Sequence, residues 1–457
     1  MTKPRHFGTD GVRGIANQGM LAPERVLALG RALACLAGRN GRTGPIVIAR
    51  DPRRSSPMIA AALSAGVASE GGAVLDLGVV PTPGLAVLLS DLGASLGVMV
   101  SASHNQMRDN GIKVIHADGS KLADEDELWL EARLDAPPAE PVPIGGDVGD
   151  VTRLARPVDR YVDLLVSRFP GLSLSGLKIV VDAAHGATSA AGPRTLERLG
   201  ATVETMFAEP DGININDGCG AVHPEAMAAA VVARGADVGV AFDGDGDRLM
   251  VASADGSVQD GDRVLFVCAN DRLSTGDLTD GVVVGTVMSN FGLELAMNEL
   301  GGRLERTPVG DRWVAQALRE HGWDLGGEPS GHLIFGADHG FVGDGIYSAL
   351  KVLEVMVRTG RPLHELSAGL KAVPQILLNV NVREKPPIDS LASVRERITA
   401  AEAAMAGRGR VLVRYSGTEN LLRVMVEGTD GEQVNREAAS IAEAVESELG
   451  TDAAAPS

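Results

Sequence analysis

Short apolar runs alternate with amphipathic helical segments along most of the chain, and this alternation restricts the folds that it can adopt. Residues 46–49 and 96–100 are short enough to be buried strands, whereas the apolar residues of 26–36 recur at helical spacing. Strands that alternate with helices form βαβ units with mainly parallel strands. The pattern therefore predicts an α/β protein with a mainly parallel sheet.

The chain is also too long for one hydrophobic core. At 457 residues it is expected to form about two to four domains, because single cores stop growing well below that length. The proline-rich residues 136–143 can continue neither a helix nor a strand, so they indicate a linker. The α/β pattern restarts after this linker and again near residues 254 and 373. Residues 451–457 are small and polar, and we expect them to be disordered.

Charge and cysteine content exclude several classes of protein. The net charge of −18 argues against binding to nucleic acids or anionic membranes, because both need a basic surface. Cys35, Cys219 and Cys268 have the spacing of neither a disulfide framework nor a zinc site. No apolar segment resembles a signal peptide or a membrane span. We therefore expect a cytoplasmic protein without a membrane or nucleic-acid partner.

The motif DGDGDR at residues 243–248 gives the sharpest indication of chemistry. It directly follows the apolar run 238–242, and functional groups of open α/β sheets gather where strands end. Three carboxylates at alternating positions repel one another unless a cation lies among them, and oxygen ligands favour Mg²⁺ or Ca²⁺. An EF-hand is excluded because it would need glycine in place of Arg248 and glutamate in place of Ala254. The alternative is a solvated acidic turn. The candidate metal ligands are Asp243, Asp245 and Asp247.

Three further polar motifs are ambiguous when each is taken alone. SASHN at residues 101–105 could supply a nucleophilic serine, which needs a base or a metal for activation, or it could be a serine-rich turn. GGEPSGH at residues 326–332 could bind sugar hydroxyls or form a structural turn. RYSGTEN at residues 414–420, with Arg423, could bind a phosphate through guanidinium and backbone N–H groups, or it could be an ordinary loop.

Together these motifs resemble those of the α-D-phosphohexomutase superfamily in order and spacing, over essentially the whole chain. FGTDGVRG at residues 7–14, DGININ at 211–216 and VGDR at 309–312 are most similar to the bacterial phosphoglucosamine mutase branch. A single match would carry little weight, whereas several matches in the same order are not expected by chance.

The resemblance implies an α/β protein with three related α/β domains and a smaller C-terminal α+β domain around a central cleft. The implied domains are residues 1–152, 153–254, 255–370 and 371–450. The resemblance also implies that Ser103 is phosphorylated, and that an oxygen of its phosphate completes a Mg²⁺ site with the three aspartates.

Further residues receive a role from the resemblance. Those that position groups or assist proton transfer, in a division that stays open, are Arg13, Lys113, Arg248 and His332. Those that contact sugar hydroxyls are Glu328 and Ser330. Those that bind the non-transferring phosphate are Arg414, Ser416, Gly417, Thr418 and Arg423.

This sequence departs from the pattern of the family at three positions. Gln106 and Asn420 stand where the family usually has proline, and Pro329 stands where the branch usually has glutamine. None of these changes removes a proposed catalytic group. Pro329 lies within the loop that contacts the sugar, so the identity of the sugar depends on a loop that this chain has altered.

The implied activity is that of an isomerase which interconverts glucosamine 6-phosphate and glucosamine 1-phosphate. The reaction would pass through glucosamine 1,6-bisphosphate, use Mg²⁺, and feed the synthesis of UDP-N-acetylglucosamine and cell-wall precursors. Phosphoryl transfer depends mainly on positioning and charge neutralisation, which these residues could provide. Two alternatives stay open: the same chemistry on mannose or glucose phosphates, and a non-catalytic phosphosugar-binding protein. A homodimer also stays open.

Overall fold

The computed structural model of the chain describes residues 5–8, 10–39, 41–137, 140–416 and 419–450. These residues fall into two compact units. One lies within Met1–Thr286 and Glu305–Ser367, and the other within Val287–Leu304 and Ala368–Ser457. The predicted disordered tail and two residues of the predicted phosphate site, Gly417 and Thr418, lie outside the described residues.

The N-terminal region forms a mixed sheet that is covered by helices. Its elements are β1 (Val12–Ile15), α1 (Pro23–Arg39), β2 (Ile46–Arg50), α2 (Ser56–Ser69), β3 (Val74–Val79), α3 (Thr82–Leu88), β4 (Leu96–Val100), β5 (Asp109–His116), α4 (Asp124–Arg133) and β6 (Val151–Arg153). The strand order is β1-β5-β4-β2-β3-β6. The pairs among β4, β2, β3 and β6 are parallel, as predicted, but β5 runs antiparallel to both of its neighbours. This edge is the exception to the mainly parallel pattern, because the loop from β4 to β5 is too short for a crossover helix.

The second α/β region repeats this arrangement. Its elements are α5 (Pro157–Ser167), β7 (Lys178–Asp182), α6 (Thr188–Arg198), β8 (Thr202–Met206), α7 (Glu225–Arg234), β9 (Val238–Phe242), β10 (Leu249–Ser253) and β11 (Val258–Gln259). The strand order is β11-β10-β9-β7-β8, with parallel pairs on both sides of β7 and antiparallel pairs on both sides of β10. Every residue of β4 and of β9 is buried, so both central strands end inside the protein rather than at its surface.

The third α/β region has shorter strands. Its elements are α8 (Gly261–Thr275), β12 (Val282–Thr286), α9 (Phe291–Glu299), β13 (Arg303–Thr307), α10 (Asp311–His321), β14 (Gly326–Gly327), β15 (Leu333–Ile334), α11 (Gly345–Thr359) and α12 (Leu363–Leu366). Strand β14 pairs with β12 in parallel and with β15 antiparallel. Trp323 and the buried faces of β12 and α10 share one hydrophobic cluster. Helix α9 belongs to the second compact unit.

The C-terminal region is an antiparallel sheet with two long helices. Its elements are β16 (Gln375–Asn381), α13 (Ala392–Met405), β17 (Gly409–Tyr415), β18 (Leu421–Gly428) and α14 (Gly431–Leu449). The strand order is β16-β18-β17, and α13 and α14 pack on the sheet around a core that includes Val424 and Ile441. This arrangement agrees with the predicted α+β domain. None of the helices that the structure describes is both long and apolar enough to span a membrane.

Candidate active site

Ser103 lies just beyond the buried end of β4. The residue is 1% exposed, and its hydroxyl donates to Asp243 Oδ2 at 2.6 Å. Its backbone has a φ of 51°, in the left-handed region that few residues other than glycine adopt. The structure thus brings together two residues that the sequence placed at the ends of separate strands.

His104 faces the same hydroxyl. Adjacency in sequence did not require this, but His104 Nδ1 lies 3.3 Å from Ser103 Oγ. Burial, and then the positive charges of Arg248 and Arg13, lower the pKa of His104 to about 4. The imidazole is therefore uncharged at neutral pH and can accept a hydrogen bond.

The three predicted metal ligands converge. One carboxylate oxygen from each of Asp243, Asp245 and Asp247 lies within 4.8 Å of the others, and all three residues are buried. Within the described part of the chain, Asp245 Oδ1 and Asp247 Oδ1 have no hydrogen-bond partner. Buried carboxylate oxygens without partners are costly unless a cation binds them. The donor set and its burial therefore fit a divalent cation that prefers oxygen ligands.

The two glycines of the motif explain how its backbone reaches Ser103. A Cβ atom on Gly244 would lie 2.6 Å from the carbonyl oxygen of Ser103, closer than real Cβ contacts allow. Gly246 has a φ of +78°, which favours glycine. The motif thus needs one glycine for close approach and the other for its backbone turn.

Lys113 is the cation closest to the carboxylates. It lies on β5, and its Nζ is 2.8 Å from Asp245 Oδ2 and 3.2 Å from Asp247 Oδ2. Burial opposes the charged form, but Asp10 and Asp245 together raise the pKa of Lys113 well above its usual range. Lys113 is therefore a charged partner of these carboxylates in this structure.

His332 lies between two carboxylates. Its Nδ1 is 3.7 Å from Asp247 Oδ1, and its Nε2 is 3.5 Å from Asp311 Oδ2. An isolated β-bridge between Arg248 and His332 holds the two loops together. Against the effect of burial, Asp311 and Asp247 raise the pKa of His332 to about 9. The imidazole is thus held as a cation.

Lys121 closes a ring of alternating charges. Its Nζ lies 2.7 Å from Asp10 Oδ1 and 2.7 Å from Asp311 Oδ1, while Asp10 Oδ2 is 3.4 Å from Lys113 Nζ. The order around the ring is Asp311, Lys121, Asp10, Lys113, Asp247 and His332. Sequence reasoning missed Lys121, Asp10 and Asp311 as parts of the site. Asp10 and Asp311 lie within the motifs at residues 7–14 and 309–312, whereas Lys121 stands in no motif.

Two arginines present unused donors near Ser103. Among the described residues, Arg13 Nε and Arg248 Nε are buried and have no hydrogen-bond partner. Arg13 also pairs with Asp10, and the backbone N–H of Arg248 donates to Asp243 Oδ1 at 3.2 Å. Guanidinium N–H groups of this kind are well suited to binding phosphate oxygens.

A cavity of about 490 Å³ opens in front of these groups. Its lining includes Arg13, Ser103, His104, Arg248, Glu328 and His332. Glu328 is held by two donors: the N–H of Gly310 reaches Oε1 at 2.9 Å, and the hydroxyl of Ser330 reaches Oε2 at 3.3 Å. The predicted sugar contacts therefore form one hydrogen-bonded pair, of which Glu328 lines the same cavity as Ser103.

The described residues of the predicted phosphate site, Arg414, Ser416 and Arg423, lie in the second compact unit. Arg414 at the end of β17 is directly opposite Arg423 on β18, so the two side chains share one face of the sheet. Burial, and then the charge of Arg423, lower the pKa of Arg414. Ser416 is buried, and Lys385 Nζ donates to its carbonyl at 2.8 Å. Two adjacent guanidiniums favour an anion, and Lys385 is a further cation that the sequence did not indicate.

The four regions of the chain match, in the same order, the domains of a known protein family. Four family models of the phosphoglucomutase/phosphomannomutase type match the chain. They are alpha/beta/alpha domain I at residues 4–140, domain II at 159–256, domain III at 260–373 and the C-terminal domain at 377–444. The curated phosphoglucosamine mutase of Symbiobacterium thermophilum is 50% identical over 448 residues, which cover 98% of this chain and 100% of that protein. The chain belongs to the phosphoglucosamine mutase family.

Membership of the phosphoglucosamine mutase family confirms several predictions. The chain is a mutase, and so an isomerase, of the phosphohexomutase superfamily, with three α/β domains and a smaller C-terminal domain. The domain boundaries at residues 152, 254 and 370 and the roles of individual site residues stay predictions.

Solved structures share the fold of this phosphoglucosamine mutase family member. A phosphoglucomutase/phosphomannomutase family protein from Burkholderia thailandensis has a TM-score of 0.80 and 26% identity, with 99% of this chain and 100% of that chain covered. Aspergillus fumigatus N-acetylphosphoglucosamine mutase, in complex with GlcNAc-6P and magnesium, has a TM-score of 0.66 and 19% identity, with 97% and 96% covered.

Proposed function

We propose that the protein interconverts glucosamine 6-phosphate and glucosamine 1-phosphate through a phosphoserine at Ser103. One observation carries the proposal: Ser103 Oγ lies 2.6 Å from Asp243 Oδ2, at a cluster of three buried carboxylates. The chain's 50% identity to a curated phosphoglucosamine mutase supports the choice of substrate. The product would serve the synthesis of UDP-N-acetylglucosamine and cell-wall precursors.

The metal of the proposed reaction is Mg²⁺, held by Asp243, Asp245 and Asp247 with an oxygen of the phosphoserine. The unpartnered oxygens of Asp245 and Asp247 support this, as does the magnesium in the Aspergillus fumigatus N-acetylphosphoglucosamine mutase complex. The chemistry that such an ion supplies is neutralisation of charge on the transferred phosphoryl group.

The remaining charge on the phosphate would be met by residues of the chain itself. The free N–H groups of Arg13 and Arg248 would hold the phosphate oxygens in line with the attacking hydroxyl. The sugar hydroxyl then attacks phosphorus, the bond from phosphorus to Ser103 Oγ breaks, and the hydroxyl proton passes to a base of the site. Which base takes this proton is left open, because Lys113 and His332 are both held as cations and can act only as proton donors.

The sugar bisphosphate must then present its other phosphate to Ser103. We propose that Glu328 and Ser330 bind sugar hydroxyls in both orientations of glucosamine 1,6-bisphosphate. The phosphate that is not reacting would be bound by Arg414, Ser416, Gly417, Thr418 and Arg423. The pairing of Arg414 with Arg423 on one face supports this role, because two like charges side by side are stabilised by an anion.

A second substrate class stays possible because of one residue. Pro329 stands between Glu328 and Ser330, where the branch usually has glutamine. Proline fixes its own backbone and lacks an N–H group, so the loop offers the sugar hydroxyls one backbone donor fewer than a glutamine would. The alternative is the same phosphoryl transfer on mannose or glucose phosphates.

A kinetic comparison tests the proposed function. We expect the highest kcat/KM with glucosamine 1-phosphate when glucose 1-phosphate and mannose 1-phosphate are measured in the same coupled assay. Higher values with either of the other sugars would contradict the substrate assignment but not the chemistry.

Ser103→Ala tests the chemistry, because only a hydroxyl at this position can carry the phosphoryl group. We expect turnover to fall by roughly 10³-fold or more, as for loss of a nucleophile elsewhere. Intact-mass measurement should find one phosphate on part of the wild-type protein and none on the variant. A folded variant with near-wild-type turnover would contradict the phosphoserine mechanism. The matched control is Ser120→Ala, at a hairpin turn where the Ser120 hydroxyl bonds to the exposed Asp118, and its turnover should equal that of the wild type.

We also propose that the protein works in the cytoplasm, where its three cysteines, all free thiols in the structure, would stay reduced. The proposed partner is the phosphosugar alone. A homodimer stays a prediction.

A further inference from the structure

A fully buried arginine lies behind the loop that carries Ser103. Arg53 follows β2, and its side chain is 0% exposed. Its Nε donates to Asp51 Oδ2 at 2.8 Å, which places a carboxylate beside the guanidinium. A buried charge of this kind is tolerated only when it is paired and hydrogen-bonded.

The other N–H groups of the guanidinium all point at the backbone of the serine loop. Arg53 Nη2 donates to the carbonyls of Ser103 and Asn105, each at 2.9 Å. Nη1 donates to the carbonyls of Gln106 and Asp109 at 2.6 and 3.1 Å. Arginine offers five N–H donors in a rigid fork, and here every one has an acceptor. Four carbonyls of one loop therefore converge on a single side chain.

A second side chain holds the same peptide groups from another region of the fold. Asn216 Nδ2 donates to the carbonyl of Ser103 at 2.9 Å and to that of Asn105 at 3.1 Å. On the other side, the N–H of Ser103 donates to Ser101 Oγ at 2.9 Å, and the hydroxyl of Ser101 donates to Asp51 Oδ2 at 2.6 Å. The peptide groups on both sides of Ser103 are thus fixed.

The backbone conformation of Ser103 explains why the loop needs such support. Its φ of 51° is left-handed, and for a residue with a Cβ this conformation is disfavoured because the Cβ atom comes too close to the following carbonyl oxygen. It is also the conformation in which Ser103 Oγ reaches Asp243 Oδ2 at 2.6 Å. A loop that lost its anchor would relax to an extended backbone and carry the hydroxyl away from the carboxylates.

We propose that Arg53 is a positioning residue for phosphoryl transfer. With support from Asn216, its guanidinium holds the backbone of Ser103 in the conformation that directs the serine oxygen to the metal-binding carboxylates. This inference rests on the proposed mutase function. Arg53 is bonded to carbonyls behind the loop, whereas the proposed sugar contacts, Glu328 and Ser330, lie elsewhere. Its loss should therefore reduce turnover and leave binding of the sugar phosphate nearly unchanged.

Arg53→Lys is the main test, because lysine keeps a positive charge beside Asp51 but cannot reach four carbonyls with one ammonium group. We expect kcat to fall on the order of 100-fold, the effect of a misplacement of about 1 Å, and KM to change by less than about threefold. Arg54→Lys is the matched control, since Arg54 is the next residue, is exposed, and makes no side-chain hydrogen bond among the described residues. Its kcat and KM should equal those of the wild type.

Asn216→Ala gives an independent test, because it removes two bonds to the same carbonyls without leaving a buried charge. We expect the same division between kcat and KM with a smaller fall in kcat. If Arg53→Lys fails to fold by circular dichroism, this variant decides alone. The proposal would be overturned by a folded Arg53→Lys variant with wild-type kcat, or by one whose kcat/KM falls only because KM rises. Wild-type kcat in Asn216→Ala would also overturn it. Wild-type protein that carries phosphate on Ser103 yet lacks mutase activity would overturn the mutase function itself, and this inference with it.

Discussion

At the scale of single residues, buried atoms without partners indicate what the site binds. In the part of the chain that the structure describes, the unpartnered atoms near Ser103 include acceptors on Asp245 and Asp247 and donors on Arg13 and Arg248. The acceptors fit a cation and the donors fit an anion. Both kinds meet at Ser103, as expected for a divalent metal beside a phosphorylated serine.

Asp245→Asn should weaken Mg²⁺ binding while preserving the shape of the side chain. Asparagine keeps one oxygen but loses the negative charge. We therefore expect the affinity for Mg²⁺ to fall by roughly 10- to 100-fold or more, because mutation of residues that only hydrogen-bond to a metal ligand already has an effect of that size. Titration calorimetry with Mg²⁺ measures this directly. Asp163→Asn, at an exposed carboxylate on α5, should bind Mg²⁺ like the wild type. Equal affinity in Asp245→Asn would remove Asp245 from the ligand set.

At the scale of secondary-structure elements, the sequence predicted the parts of the site that follow buried strands. Strands β4 and β9 were recognisable as short apolar runs, and the polar motifs directly after them contain Ser103 and Asp243. Functional groups of open α/β sheets gather where strands end, which made each motif a candidate site, and the family resemblance then joined the motifs. The contact between the two residues needed the structure, because they belong to different sheets.

Residues that lie within a strand, or that support a loop from behind, were harder to predict from the sequence. Lys113 lies on β5, which runs antiparallel to β4 and interrupts the parallel pattern. Its role came from family resemblance alone, since one lysine in an apolar strand has no local signature. Arg53 was not predicted at all. Its function depends on backbone carbonyls of a distant loop, and carbonyl direction is not encoded in residue type.

Gly244→Ala tests how closely the loop of residues 243–248 must approach the loop that carries Ser103. The added Cβ would lie 2.6 Å from the carbonyl oxygen of Ser103 and 2.8 Å from Asn216 Nδ2, so one of the two loops must shift. We expect kcat to fall by about 100-fold for a shift near 1 Å. Steady-state kinetics on folded protein would check this.

The matched control is Gly38→Ala in α1. A Cβ on Gly38 would meet nothing within 4 Å, so we expect unchanged kinetics and a gain in stability of up to about 1 kcal/mol from helix propensity. Wild-type kcat in Gly244→Ala would show that the close approach of the two loops is not required for turnover.

At the scale of the whole molecule, the ring of alternating charges joins regions that are far apart in sequence. Asp10 and Lys121 come from the N-terminal region, Asp247 from the second and Asp311 from the third. Local periodicity cannot reveal such a ring, because its members come from separate segments of the chain and Lys121 stands in no motif. The ring also makes the stability of the site depend on contacts between α/β regions.

Lys121→Met should therefore destabilise the protein and lower its activity together. Lys121 Nζ bridges Asp10 and Asp311, and its removal leaves two carboxylates that repel each other. Loss of one partner of a fully buried pair costs about 3–5 kcal/mol, and because the Lys121 side chain is 29% exposed we expect about 2–4 kcal/mol. Urea unfolding measures the free energy of unfolding. Lys121→Arg keeps the charge and should restore most of the lost free energy of unfolding. Unchanged stability in Lys121→Met would mean that the ring of charges does not stabilise the protein.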